Sequence, residues 1–274
     1  MRKTVFDIED LQEISPFFRN KFTAFLGKLL IKWLEFSKIN KIHSDHCHLR
    51  GAEFTSAMLS DPIMDVKYNL FNTELLDSLP EGAFITVSNH PIGSLDGIIL
   101  IDIFASYRKD FKVMVNEMLD KVGALADNFI SVKPNTDDER KGNISNTGGV
   151  REALSWLKGG HPIGFFPAGA MSFKNSKDEV LDRPWTHSVI RLIRKANVTV
   201  YPVYFGCRNS NLFYWLGKIS WKIRTLRVAA ETFNKRGQTF AIHLRPPITA
   251  KTLKQFTDDT ELAEFLYKAT YDTL

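Results

Sequence analysis

Residues 84–104 leave the chain little choice of fold. Phe84 to Val87 is a short apolar, β-branched run bounded by Gly82, the pattern of a buried strand. Asn89, His90, Pro91 and Gly93 break the strand, and Asp96 opens a new apolar-periodic segment, Ile98 to Phe104. A strand that feeds through a polar turn into an apolar helix is a building unit of α/β sheets. One imidazole and one carboxylate share that turn, where α/β proteins usually place their chemistry.

The alternation recurs along the chain. Glu53 to Leu59 has helical periodicity, Val66 to Phe71 reads as a strand, and Leu75 to Leu79 as a short helix ended by Pro80. Phe111 to Val115 and Phe129 to Val132 are predicted strands with a short helix, Glu117 to Leu125, between them. Lys133 to Gly142 is a charged, Pro/Gly-punctuated surface loop. The helix over 148–158 turns Val150, Leu154 and Leu157 inward and stops at Gly159-Gly160. Pro162 to Phe166 is a strand broken at Pro167 to Gly169, and Thr186 to Ala196 is helical. Val198 to Phe205 is a strand in which Pro202 predicts an edge or a bulge. Phe240 to Leu244 is a late strand and Asp259 to Tyr271 a closing helix. The sum is an α/β sheet with flanking helices.

The length of 274 residues suits one α/β domain with an appendage, or two small domains. A hydrophobic fraction of 44% argues against disorder. Two cysteines, Cys47 and Cys207, are too few for a disulfide framework and suggest a reducing compartment. Met1 to Glu13 carries four acids and no apolar core, which argues against a signal peptide. No apolar run is long enough for a spanning helix. Residues 16–43 hold Arg19, Lys21, Lys28, Lys32, Lys38 and Lys41 against Glu35 alone, which equals the +5 of the whole chain. The basic excess is therefore local and marks a docking surface.

That segment reads as a helix from Pro16 to Ile42, with Ser15 before it and Pro16 in its first turn. Phe18, Phe22, Phe25, Leu26, Leu29, Leu30, Trp33 and Phe36 recur at three- and four-residue spacing. Lys21, Lys28, Lys32 and Glu35 occupy much of the other side. Two arrangements satisfy the pattern: a helix lying on an anionic membrane, or one packed on the core with solvated lysines. The run His43, Asp45, His46, Cys47 and His48 contains metal-ligand residue types. No second cluster follows, so it reads as polar linker histidines. Leu212, Phe213, Trp215, Leu216 and Trp221 are interleaved with Lys218, Lys222, Arg224 and Arg227. Without a nucleic-acid module beside it, that mixture points to a membrane edge or an acidic carrier protein.

Neutral imidazole takes a proton near pH 7, and a carboxylate on its other nitrogen fixes the tautomer and stabilises the imidazolium. His90 and Asp96 can form such a pair, or they can merely cap the turn and the helix start. No Gly-x-Ser-x-Gly elbow supplies a nucleophile, and neither cysteine lies in a loop built to activate it. A base without its own nucleophile requires the substrate to supply one. A substrate hydroxyl attacking an acyl carbonyl meets that requirement.

Asn89-His90-Pro91-Ile92-Gly93-Ser94-Leu95-Asp96-Gly97 resembles the first motif of glycerolipid and lysophospholipid acyltransferases. More specifically, it is similar to the Asn-His-Pro-x-Gly-x-x-Asp-Gly form of the hemolysin-like and ornithine-lipid or glycine-lipid O-acyltransferase branch. The superfamily usually has four residues between His and Asp; this chain has five, as that branch does. The resemblance runs in order through residues 50–248. Phe129 to Pro134 stands at the second motif, and Val150 to Lys158 with Gly164 to Gly169 at the third. Asp182 to Trp185, Val200 to Phe205 and Arg208 to Ser210 match later blocks.

The resemblance implies a glycerolipid-acyltransferase-like mixed sheet flanked by helices, with an N-terminal amphipathic helical segment. Residues 1–48 would form the membrane-facing segment and 49–274 the acyltransferase domain. His90 would be the general base and Asp96 its orienting carboxylate. Asn89, Gly93, Lys133, Pro167, Gly169, Ser172, Arg208 and Asn209 would bind substrate. Beyond the resemblance, the close backbone approach that glycine allows makes the N–H groups of Gly93 and its neighbours candidate oxyanion donors. No metal and no cofactor are implied, only acyl-carrier protein (acyl-ACP) or acyl-CoA as co-substrate. The expected partners are a membrane lipid acceptor, that acyl carrier and an anionic membrane surface, without nucleic acid. The expected location is peripheral, on the cytoplasmic side of the inner membrane.

The third motif departs from the superfamily's Phe-Pro-Glu-Gly-Thr-Arg. Ala168 stands at the Glu position and Met171 at the Arg position, and Ala170 stands where the branch often has Glu. A guanidinium is the natural bidentate partner of phosphate, so its absence favours an acceptor carrying a carboxylate. The expected reaction is acyl transfer to the hydroxyl of a lyso-aminolipid of glycine- or ornithine-lipid type. The alternatives are acylation of lysophosphatidic acid and a non-catalytic, lipid-binding, hemolysin-like protein.

Overall fold

The computed structural model describes residues 2–132, 147–220, 224–225 and 227–272. Its strands are β1 (Lys67–Phe71), β2 (Ile85–Ser88), β3 (Lys112–Asn116), β4 (Phe129–Val132), β5 (Ile163–Phe165), β6 (Phe173–Lys174), β7 (Val180–Leu181), β8 (Val200–Gly206) and β9 (Thr239–Leu244). Seven of them form one sheet in the order β1-β9-β8-β2-β5-β3-β4, and β6 and β7 make a separate antiparallel hairpin. The five strands from β8 to β4 are parallel to one another. β9 runs antiparallel to β8, and β1 follows β9. The sheet is mixed, as the resemblance implies.

The helices are α1 (Ile8–Ile14), α2 (Lys21–Trp33), α3 (Phe36–His46), α4 (Gly51–Ser60), α5 (Ser94–Tyr107), α6 (Thr147–Lys158), α7 (His187–Ala196), α8 (Asn211–Ile219), α9 (Val228–Phe233), α10 (Ala250–Leu253) and α11 (Asp259–Tyr271). They cover both faces of the sheet. One core joins α4 and α5 to Phe84, Val113, Tyr201 and Phe205; the other joins α6, α7 and α11 to Ile85, Val87 and Ile163. β2 lies between them and is buried at every residue; Ile85 and Val87 join the second core, and the alternate residues Thr86 and Ser88 are buried as well. The helix α5 is apolar all round because α4 covers the side that the sheet leaves open. Its one mid-helix acid, Asp102, accepts hydrogen bonds from Thr55, Ser56 and Tyr68, which fastens α4 and β1 to it.

Several expectations are corrected. Pro202 lies in β8, a central strand. Its carbonyl accepts the Arg245 N–H at 2.9 Å, so its nitrogen faces the same side, just beyond the end of β9. No ladder donor is needed there, and proline is tolerated. The Glu117 to Leu125 segment is two 3-10 turns, Glu117–Lys121 and Gly123–Asn128. Residues 16–42 are not one helix: a 3-10 turn, Pro16–Arg19, stops at Asn20, and Glu35 adopts φ 67° between α2 and α3. The Asn20 side chain caps α2 by accepting the Thr23 N–H at 2.9 Å. The lysine face also differs from expectation, and Lys21, Lys28 and Lys32 flank the apolar stripe. The side opposite the stripe carries Thr23, Gly27 and Ile31, which are buried. A Cβ on Gly27 would come within 2.7 Å of Ile8, so glycine sets the close approach of α1 and α2.

Of the histidines near residue 45, His43 and His46 lie on α3 rather than in a linker, and His48 follows in the turn before α4. His43 is buried with Nδ1 on the Lys3 carbonyl, while His46 bonds Asp61 at 2.9 Å. Ile42 belongs to the core, so α3 is built into the sheet's helical layer.

Candidate active site

The carboxyl ends of β5, β2 and β8 lie side by side, and each runs into a loop that reaches the same place. In open α/β sheets this is where ligands bind. Asn89 continues β2 by one residue. Its side-chain amide donates to the Phe205 carbonyl at 3.0 Å and accepts the Phe205 N–H at 2.7 Å. The amide thus stands in for a peptide unit and sutures the turn to β8.

His90 follows. Its ring stacks on Phe166, which leaves β5, with centroids 4.2 Å apart. Its Nδ1 lies 2.9 Å from Asp96 Oδ2, and the same oxygen accepts the N–H groups of Ile92 and Gly93 at 3.0 Å each. An oxygen that already accepts two N–H donors orients the imidazole with its proton on Nδ1. The lone pair is then on Nε2, which has no partner among the described residues. The His90 side chain is 19% exposed, enough for access from outside, and Asp96 is fully buried. Burial pushes the Asp96 carboxyl above its usual range, while His90 and the two N–H groups pull it back. Asp96 also sits in the first turn of α5, where the helix dipole favours its charge.

Gly93 is required by the backbone. It adopts φ 90°, and a Cβ there would meet Met171 Sδ at 2.9 Å and Val228 at 3.3 Å. Its expected role as an oxyanion donor is corrected, because its N–H and that of Ile92 are engaged by Asp96.

A second carboxylate, which sequence reasoning passed over within its Asp182 to Trp185 block, holds the main chain of His90. Asp182 Oδ1 accepts the His90 N–H at 3.1 Å and the Ser172 hydroxyl at 2.5 Å. The Ser172 N–H donates to the His90 carbonyl at 2.8 Å. Trp185 and the Tyr271 hydroxyl complete the setting of Asp182. Burial raises the Asp182 carboxyl above its usual range, against the pull of Ser172 and the His90 N–H. A lone acid in an aromatic, proline-bearing block was the available signal. Ser172, expected to bind substrate, is buried and serves this clamp.

The remaining expected residues are distributed as follows. Pro167 is buried, with its carbonyl accepting the Thr186 N–H, and Gly169 is exposed at φ 64° in the loop after β5. Ala168 is buried in the core of α6 and α7, whereas Met171 lies against Gly93. Asn209 is buried and donates to the Pro91 carbonyl at 3.1 Å, bracing the turn from β8. Arg208 is exposed, with its guanidinium on Asn211 at 2.7 Å. Lys133 lies outside the described residues. A further unanticipated acid, Glu231, is buried on Ser210 and Lys235 and secures the start of α8. It is a single acid in an apolar helix, with no motif around it.

A cleft of about 340 Å³ adjoins the turn, with Asn89, Pro91, Ser172, Asp178, Tyr204 and Arg208 among the residues of its wall. The imidazole is not part of its wall, so the cleft meets the turn from the Asn89–Pro91 side. The site therefore offers an oriented base with a free lone pair. No hydroxyl or thiol is hydrogen-bonded to the His90 ring among the described residues. Burial pushes the Cys207 thiol well up, which removes it as a thiolate nucleophile.

The sequence model of a family described as Acyltransferase matches residues 10–273. Two relatives are named lyso-glycine lipid O-acyltransferase. The one from Phocaeicola vulgatus is 25% identical over 274 residues, covering 96% of this chain and 94% of its own. The one from Bacteroides thetaiotaomicron is 26% identical over 254 residues, covering 90% and 89%. The crystal structure of the 1-acyl-sn-glycerophosphate (LPA) acyltransferase from Thermotoga maritima is similar with a TM-score of 0.49 and 15% identity, over 90% of this chain and 86% of that one.

Proposed function

Because this chain belongs to the Acyltransferase family, we propose that it moves a fatty acyl group from acyl-carrier protein or acyl-CoA to the hydroxyl of a lyso-aminolipid, of glycine-lipid type first and ornithine-lipid type second. The observation that carries the reading is the His90–Asp96 pair, with Nε2 free and no enzyme nucleophile beside it among the described residues. Nε2 takes the proton of the acceptor hydroxyl. The oxygen attacks the thioester carbonyl, the new C–O bond forms, and the C–S bond breaks. The carrier thiolate leaves and recovers the proton from His90. Asp96 holds the ring and stabilises the imidazolium throughout. No covalent acyl-enzyme is formed.

The names of the two relatives support the aminolipid acceptor. So does Met171: a thioether, not a guanidinium, lies against the turn at that position. Arg208, exposed at the cleft wall, is the cation for the acceptor carboxylate. The protein works as a peripheral protein on the cytoplasmic face of the inner membrane, with α2 toward the lipid. No helix among the described residues is long and apolar enough to cross a membrane. On α2, Phe22, Phe25, Leu29 and Trp33 are each 49–72% exposed, so its apolar stripe faces outward.

Acyl transfer measured with each acceptor tests the reading. Lyso-glycine lipid is acylated and His90→Ala abolishes the reaction. Activity confined to lysophosphatidic acid would overturn the acceptor class, and a cellular lipid profile indifferent to His90→Ala would overturn catalysis.

A further inference from the structure

Among the described residues, twelve large hydrophobic side chains are exposed, and eight of them sit on two short helices. Five belong to α2. The other three, Leu212, Trp215 and Ile219, are 50–58% exposed on α8. Their spacing of three and four residues places them on one stripe, while Phe213 and Tyr214 point inward and are buried. A stripe of this kind, left half exposed or more by the described residues, marks a contact with something outside the protein.

The charges around α8 indicate what that is. No acid occurs between Arg208 and Ser220, and Lys218 lies beside the stripe. At the helix start, Asn211 accepts from both Arg208 and Lys174, which bonds Asp178 as well. Apolar residues hold the middle of the exposed face, and its margin carries Lys174, Arg208 and Lys218 against one exposed acid, Asp178, a net cationic rim of the kind an interfacial helix presents to anionic lipid. An acidic protein partner would instead be met by cations at the centre. At nine residues α8 is about 14 Å long, too short to span a bilayer, and suited to lie in its surface.

Its position gives the contact a purpose. Asn209, two residues before α8, holds the Pro91 carbonyl of the catalytic turn. On the other flank Trp33 of α2 lies under the Arg227 guanidinium, and Val228 lies against Gly93. Both exposed stripes thus connect to the same turn through one or two residues.

We infer that α8 is a second membrane-inserting element: Leu212, Trp215 and Ile219 enter an anionic bilayer and bring the mouth of the Arg208 cleft to the lipid surface. The acceptor then reaches His90 from the bilayer. This rests on the lysolipid acceptor proposed above.

The full-length protein is tested by flotation with vesicles of phosphatidylethanolamine and phosphatidylglycerol, and with neutral phosphatidylcholine vesicles. The triple variant Leu212→Ser, Trp215→Ser, Ile219→Ser is expected to lose at least about tenfold in partition to the anionic vesicles. Its ratio of acylation rates, acceptor in vesicles over acceptor in detergent micelles, falls in parallel. Trp215→Phe, a variant that keeps the fold, loses the part of the tryptophan quenching by brominated lipid that wild type shows. Partition and quenching equal to wild type in these variants would overturn the inference. So would unaltered partition with a rate lost only for acyl-carrier protein and not acyl-CoA, which assigns the face to the carrier. Wild type that ignores both vesicles overturns it too, while micellar acylation reports separately on the acyl-transfer reading.

Discussion

Asp96→Asn separates the two things that this carboxylate does. Oδ2 accepts three donors, from His90 Nδ1, Ile92 and Gly93, while Oδ1 is buried without a partner. An asparagine with its oxygen at the Oδ2 position keeps all three hydrogen bonds and places its NH2 at the unpartnered site. The reverse orientation would set donor against donor three times, so the first is selected. The ring stays oriented, and what disappears is the negative charge facing the imidazolium that forms during proton transfer. At a charge separation of about 4 Å and an effective dielectric of about 20, that interaction is about 4 kcal/mol. The expected loss is therefore roughly a thousandfold in kcat/KM. The buried NH2 costs about 1–3 kcal/mol of stability, offset by relief of a buried charge. Steady-state acyl transfer by the purified variant, with thermal unfolding as the control for folding, makes the measurement. A rate within threefold of wild type in a folded variant would refute the reasoning and leave Asp96 as a helix cap.

Three further outcomes follow from the same geometry. Asp182→Ala strands the His90 N–H and the Ser172 hydroxyl, about 1–3 kcal/mol each; kcat should fall about a hundredfold with KM little changed, because the base is displaced rather than removed, and steady-state kinetics that show a KM effect alone would contradict this. Gly93→Ala forces a side chain onto φ 90° and into Met171, at about 1–3 kcal/mol; thermal unfolding should show the loss, and Gly93→Ala with Met171→Ala should recover part of it. Burial acts to raise the Asp10 carboxyl, but Arg2, Lys121 and the Asp7 N–H outweigh it and hold it well below its usual range. Its stabilising contribution is thus present above the unfolded carboxylate value, about 3.9, and is lost as pH falls below that; acid unfolding of Asp10→Asn should lack this component.

Much of the fold could be read locally. The closing helix Asp259 to Tyr271 and the strand Phe129 to Val132 lie where periodicity places them. The strand–turn–helix around His90 follows from an apolar run, a Pro/Gly break and a second apolar run. His90 and Asp96 are six residues apart, so a single turn was enough to bring them together. These features depend on residues within a few positions of one another, and local chain chemistry is sufficient to specify them.

What lies around the pair was decided elsewhere. Asp182 reaches the His90 N–H across 92 residues, and Asn89 reaches Phe205 across 116. Neither partner carries a mark of the other, because such bonds depend on how the sheet orders β5, β2 and β8. Pro202 suits a central strand only because β9 ends where it stands. The periodicity of α2 separates two faces but does not say which is outside. The small residues Thr23 and Gly27 allow α1 to approach, and that packing turns Phe22, Phe25, Leu29 and Trp33 outward. By itself the sequence determined the elements, the base and its carboxylate. The tertiary structure decided what clamps them and which apolar faces remain uncovered, since both are consequences of contacts between elements far apart in the chain.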